Sequence, residues 1–195
     1  MNFVIPDLDV SQGQIHNTTY FTVEMGHGDV LSDGSLPLFQ DTWISWDQSN
    51  LNDTHDSEET LFISGTSSAL IEVPINGTGA LPIPSNARLV GAQIDFQVIS
   101  NNSSTPSIGL FEVLQDWNES ATGQTFDGVN NWSSVGAQGP LDRNEWSYVI
   151  HDQPDSTRMS MDFTEVAQAA ITRGDDSIGL MLSTELYSND RIVLA

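Results

Sequence analysis

The stretch DQSNLNDTHDSEE, residues 47 to 59, crowds Asp47, Asn50, Asn52, Asp53, Asp56 and Glu58 into one polar run. Calcium takes about six to eight hard oxygens in flexible geometry, and a run of carboxylates and side-chain amides supplies that donor type. Calcium is the candidate cofactor of this run, with Asp47, Asn50, Asn52, Asp53 and Asp56 as its candidate ligands. An EF-hand is excluded, because its central glycine and closing bidentate Glu have no counterpart in register. A solvated acidic loop is the competing reading. DGVNN at 127–131 and PDLD at 6–9 are fainter versions of the same pattern.

QDWNESATGQTFDGVNNW, residues 115–132, places Trp117 and Trp132 at the ends of an almost wholly polar run. Three roles fit such a run: a catalytic loop, a sugar-stacking loop, or a long connection pinned at each end by a buried ring. Packing is the expected role, since a buried indole contributes about 2–3 kcal/mol. Catalytic constellations are otherwise missing. His16, His27, His55 and His151 show no HxH or HExxH spacing and read as surface or turn residues. No G-x-S-x-G elbow occurs, and with 27 acidic residues an accidental carboxylate pair carries no weight. No catalytic residue is expected, and the protein reads as a non-enzyme.

Ligand contact would fall to aromatic and basic side chains. In DTWISW, strand alternation puts Ile44 and Trp46 on one face and Trp43 on the other, with Asp41 and Ser45. If Ile44 faces the core, Trp43 faces solvent, a partner or the amino-terminal segment. Trp146 and Tyr148 share a strand face and raise the same question. Arg88 and Arg143, followed by Arg158, are the basic residues placed to meet a ligand.

Composition limits the partners. The chain has 195 residues, 27 Asp and Glu, five Arg and no Lys, for a net charge of −22. Nucleic acid is excluded as a partner, because phosphate recognition needs basic side chains. A salty or halophilic setting suits such a surface, since a Debye length below ~8 Å screens its self-repulsion. The absence of lysine removes Schiff-base and isopeptide chemistry; the absence of cysteine removes disulfides, thiolates and zinc–thiolate sites. N-x-S/T triplets begin at Asn17, Asn52, Asn76, Asn101, Asn102, Asn118 and Asn131. Glycosylation at Asn17, Asn52, Asn76, Asn102, Asn118 and Asn131 is one reading; the shared turn preference of Asn, Ser and Thr is the other. No apolar run is long enough for a membrane-spanning helix, so direct membrane insertion is not expected. The chain starts without a basic-then-apolar signal and stops on RIVLA, which reads as a module of something longer.

The elements that would hold these residues are short apolar runs between turn residues. Strands are expected at Asn2–Ile5, Tyr20–Glu24, Asp41–Trp46, Thr60–Ser64, Ala69–Val73, Arg88–Ile99, Ser107–Leu114, Trp146–Ile150, Ser177–Ser183 and Asp190–Leu194. One short helix is expected at about 162–173, with Asp162 as N-cap, Glu165 completing a capping box and Gly174 closing it. Phe163, Val166, Ala170 and Ile171 would form its apolar stripe. The fold class is all-β, a jelly-roll-like antiparallel β-sandwich with one short α-helix. Residues 1–38 read as an amino-terminal extension or edge strands, and 39–195 as the sandwich domain.

The order of motifs resembles that of DNRLRE-type domains, the β-sandwiches grouped with carbohydrate-binding module family ninety-six. The resemblance runs from Asp41-Thr42-Trp43-Ile44 through Leu61-Phe62-Ile63 and Leu70-Ile71-Glu72-Val73 to LPIPSNARLVGAQIDF. It continues with Trp117-Asn118-Glu119-Ser120-Ala121-Thr122, then Trp132 before Gly136-Ala137. Asp162-Phe163-Thr164-Glu165-Val166-Ala167 and Gly179-Leu180-Met181-Leu182 complete it. The family's Arg and Phe-Asp-Leu around the third strand and its closing Ser-x-Glu are absent. The resemblance implies a non-catalytic extracellular or cell-surface module that binds polysaccharide within a larger surface protein. The alternative expectation is a structural protomer of a filament or surface layer, with NFVIPDLDV adding a strand to neighbouring surface-protein subunits.

Overall fold

In a computed structural model of the chain, the described residues are 2–5, 19–22, 40–75, 87–101, 107–152, 158–184 and 191–195, with main chain alone at 2–5, 19–22, 107 and 145–152. In chain order the strands are β1 (Asn2–Ile5), β2 (Thr19–Thr22), β3 (Gln40–Ser45), β4 (Leu61–Ser64), β5 (Ser67–Pro74), β6 (Arg88–Gly91), β7 (Gln93–Asn101), β8 (Ser107–Val113), β9 (Arg143–Asp152), β10 (Arg158–Asp162), β11 (Ser177–Thr184) and β12 (Arg191–Leu194). One helix, α1 (Thr164–Arg173), accompanies them. Among the described residues the protein is all-β with a single short α-helix. Two compact units divide it: residues 1–38, 74–93 and 162–178 form one, and 39–73, 94–161 and 179–195 the other. Residues 74–93 and 162–178, expected within the sandwich domain, belong to the first unit.

In the first unit, β1 lies between β2 and β6 and runs antiparallel to both. Helix α1 closes the open side of β6 with a side chain: Gln168 Oε1 accepts from Leu89 N at 2.8 Å, and its Nε2 donates to Ala87 O at 3.1 Å. The expected single strand Arg88–Ile99 is two strands in different sheets. The break falls at Ala92, whose N–H donates to Thr164 Oγ1 (2.8 Å) and whose carbonyl accepts from Phe163 N (2.9 Å). With both main-chain groups committed to the helix start, Ala92 cannot continue a ladder.

Asp162 is not the N-cap. Phe163 holds that position with no side-chain cap, and Asp162 Oδ1 accepts instead from Thr164 N at 2.8 Å. Phe163 is buried, and its main chain is tied to Ala92 before the helix begins. The carboxyl end follows expectation: Gly174 is left-handed at φ 80, and its N–H donates to Ala170 O and Ile171 O. A Cβ there would meet nothing within 4 Å, so only backbone strain opposes a substitution. Gly174→Ala should therefore cost about 1 kcal/mol, read as a lower urea midpoint at an unchanged slope.

The second unit holds a curled, antiparallel nine-stranded sheet in the order β10-β7-β12-β4-β5-β11-β8-β9, with β3 paired to β5. Along β4, β12, β7 and β10 the burial alternates. Leu61, Ile63, Phe96, Val98, Met159, Met161, Ile192 and Leu194 are buried. Phe62, Ser64, Asp95, Gln97, Arg158, Ser160, Arg191 and Val193 point the other way and are exposed or half-buried. β10 is a strand beyond those expected, and its Arg-Met-Ser-Met-Asp carries the same two-residue period.

β5, β11 and β8 are covered on both faces, and β4 meets β5 at Ser64↔Ser67. On one side of this part of the sheet, Leu70, Val113 and Met181, with Ile44 of β3, pack with Trp117, Ala121, Trp132 and Ala137. The last four belong to the connection between β8 and β9. Both indoles are therefore sunk in the core, at 4% and 5% exposure. Trp132 Nε1 donates to Thr122 O at 2.9 Å, and Phe126 meets the Trp132 ring edge-on at 5.6 Å. Small residues let this connection lie flat on β3: a Cβ on Gly123 would fall 1.8 Å from Ser45 O. Gly136, at φ 74, rests its Cα side on the Trp46 ring. The polar run at 115–132 is a cover for the sheet.

Candidate ligand-binding site

Thr42 and Ile44 face the core cluster, so Trp43 projects from the opposite side of β3 and is half-buried. The 46–60 connection then turns back on itself. Asp47 Oδ1 accepts from Ser49 N and Ser49 Oγ, each at 3.1 Å, making the Asx turn its position allows. Further turns, Asn50 N to Asp47 O and Asp53 N to Asn50 O, bring His55 against the indole. The imidazole stacks on Trp43 with centroids 3.3 Å apart and planes 16° apart. His55 Nδ1 lies 2.7 Å from Glu58 Oε1, and Trp43 Nε1 donates to Glu58 Oε2 at 3.0 Å. One carboxylate thus fixes both rings. His55, expected as a surface residue, is only 10% exposed in its side chain, because the loop's path lays it on the indole.

Phe62 on β4 continues the cluster, its ring tilted 5.2 Å from Trp43. The Arg191 guanidinium, from β12, lies 4.5 Å from the Phe62 centroid, a cation–π distance. Beyond it the outward residues of β12, β7 and β10 extend the surface: Val193, Ser100, Gln97, then Asp95 between Arg158 and Ser160. A bulge between Val193 and Leu194 turns Ile99 out as well, at 54% exposure.

The other residues expected to meet a ligand lie on β6 and β9. Arg88 is exposed on β6 and lines an open groove of about 570 Å³ with Gln168, Thr172 and Arg173 of α1. Arg143 caps the Phe111 ring at 4.1 Å. Trp146 and Tyr148 lie where β9 carries four residues against one of β8, and their side chains are outside the described residues. Asn50, Asn52, Asp53 and Asp56 are exposed, and among the described residues no three His, Cys, Asp or Glu side chains come together around a metal-sized site. In DGVNN, Asp127 spends its oxygens on turn amides: Oδ1 accepts from Val129 N and Asn130 N, and Oδ2 from Asn130 Nδ2. PDLD lies outside the described residues, as do Asn17, Asn76 and Asn102. Asn52, Asn118 and Asn131 are exposed, while Asn118 Oδ1 accepts from Ser120 N at 2.9 Å. No helix among the described residues is long and apolar enough to cross a membrane. No protein-family model matches the chain, and no curated protein matches it.

Electrostatics at the cluster centre on Glu58. Desolvation pulls its carboxyl up, but the hydrogen bonds from His55 and Trp43 and the His55 charge together hold it below the ordinary value. A depressed folded value means the tie is intact above the ordinary carboxylate range and is lost as pH falls through the folded value. The Trp43 emission, taken as wild type minus Trp43→Phe, should change on acidification with a midpoint below that of a free glutamate. Glu58→Gln should remove that step; its persistence would place the titrating group elsewhere.

Proposed function

We propose that the protein is a non-catalytic module of jelly-roll type that binds polysaccharide, outside the cell, as part of a larger surface protein. The outward face of β4, β12, β7 and β10, with Trp43 at its margin, is the binding surface in this reading. One observation carries it. Neighbouring strands present an aromatic ring (Phe62), a guanidinium (Arg191), an amide (Gln97) and hydroxyls (Ser64, Ser100, Ser160) on one face of the sheet. Ring faces for apolar sugar C–H surfaces beside hydrogen-bonding groups for hydroxyls make up the chemistry of a glycan site. The order of motifs noted in the sequence supports the same class. Alternating burial explains why such a face exists: the opposite side chains are spent on the core.

The test is binding to a panel of neutral and charged polysaccharides, with and without calcium, because Asp47, Asn50, Asn52, Asp53 and Asp56 are the residues proposed to hold that ion. Arg191→Ala and Phe62→Ala should each weaken the preferred glycan about tenfold, a loss of about 1.4 kcal/mol, while Arg88→Ala leaves it unchanged. No binding under either condition removes the proposal. The alternative, a filament protomer built by strand addition through Asn2–Ile5, is the weaker reading, since β1 is paired within its own chain to both β2 and β6.

A further inference from the structure

We propose that the indole face of Trp43 and the carboxylate of Glu58 form a site for a positively charged ligand group, and that His55 fills it in the free protein. Resting on the glycan-binding reading, the ligand is a sugar that carries a protonated amine.

The arrangement has the two parts a cation site needs: an electron-rich ring face and an anion at its edge. Both are already aimed at a planar, protonatable group, since the imidazole lies 3.3 Å over the indole and its Nδ1 sits 2.7 Å from Glu58 Oε1. Its occupant is poorly satisfied there. With Nδ1 bonded to the carboxylate, Nε2 is the remaining polar atom, and it is buried without a hydrogen-bond partner among the described residues. An ammonium group carries three donors and can turn them toward Glu58 and toward solvent, so exchange relieves that unmet bond. The occupant is also carried on a loop and not on a strand or helix. Residues 46–60 form turns without strand or helix, so a backbone change there breaks no sheet ladder.

Charge points the same way. At −22 the protein draws cations and repels uronate-type polymers. Asp53, Asp56 and Glu59 flank His55 and Glu58 in the loop. The Arg191 guanidinium lies over the Phe62 ring.

Glucosamine trisaccharide and its neutral N-acetylated counterpart, measured at pH 6 and fixed salt, test the assignment. His55→Gly should bind the amine-bearing sugar about tenfold more tightly than wild type and leave the neutral sugar's affinity unchanged. Adding Glu58→Gln to His55→Gly should erase the gain. Equal binding by wild type and His55→Gly, or a gain shared by the neutral sugar, overturns the inference. Free imidazole reads the site without any sugar: it should quench Trp43 emission in His55→Gly and in His55→Ala, but not in wild type. No quenching in either variant also overturns it. Quenching by imidazole with no sugar bound by any form upholds the cation site and removes the glycan reading alone.

Discussion

Replacing Trp132 with alanine should lower the unfolding free energy by about 3–5 kcal/mol, the range for deleting a large ring from a packed core. The indole is 5% exposed and touches the cluster of Ile44, Leu70, Val113, Trp117 and Met181. Its removal opens a cavity whose walls are set by strands on one side and by the 114–142 connection on the other. The connection loses its bond from Trp132 Nε1 to Thr122 O at the same time. Urea unfolding followed by far-ultraviolet circular dichroism measures the effect. Trp43→Ala is the control: that ring is half-buried at the margin of the sheet, so its loss should cost clearly less. Equal costs for the two substitutions would show that the connection is not anchored through Trp132.

Asp142→Asn should cost about 2–3 kcal/mol, although it changes only an oxygen to an amide nitrogen. Asp142 is fully buried, and its carboxylate is an acceptor for several donors of one loop. Oδ1 accepts from Ser133 N at 2.7 Å. Oδ2 accepts from Ser133 Oγ at 2.8 Å, Ser134 N at 2.9 Å and Gly139 N at 3.2 Å. An asparagine offers one oxygen and one NH₂, so in either flip a donor faces a donor. A buried N–H then loses its partner, which costs more than the missing bond itself. A loss below about 0.5 kcal/mol would mean the loop re-forms around another acceptor.

These two residues mark what could be read in advance. The tryptophans were legible because a large apolar ring at each end of a polar run has few other places to go. Strand alternation was legible wherever one face is solvated, as in Phe96 and Val98 against Asp95 and Gln97. Asp142 was not, because a carboxylate that organises a loop looks in sequence like any of the other acidic residues. The break at Ala92 was hidden for a related reason: the groups that end the strand belong to Phe163 and Thr164, about seventy residues away. The site suffered most. Trp43 was identifiable from alternation, but His55 reached it through turns whose net direction no local pattern fixes. Phe62 and Arg191 meet only because β4 and β12 are neighbours in the sheet.

The β8–β9 connection also bears on how the fold can be cut. Phe111, Val113, Leu70 and Met181 lie under it, so a shortened version would leave a greasy, strand-edged plateau in water. Such a plateau invites self-association between molecules. Trimming this segment to obtain a smaller, better-behaved fragment should therefore give precipitate, whereas grafting foreign residues onto its exposed tip near Val129, 81% exposed, should leave the protein in solution.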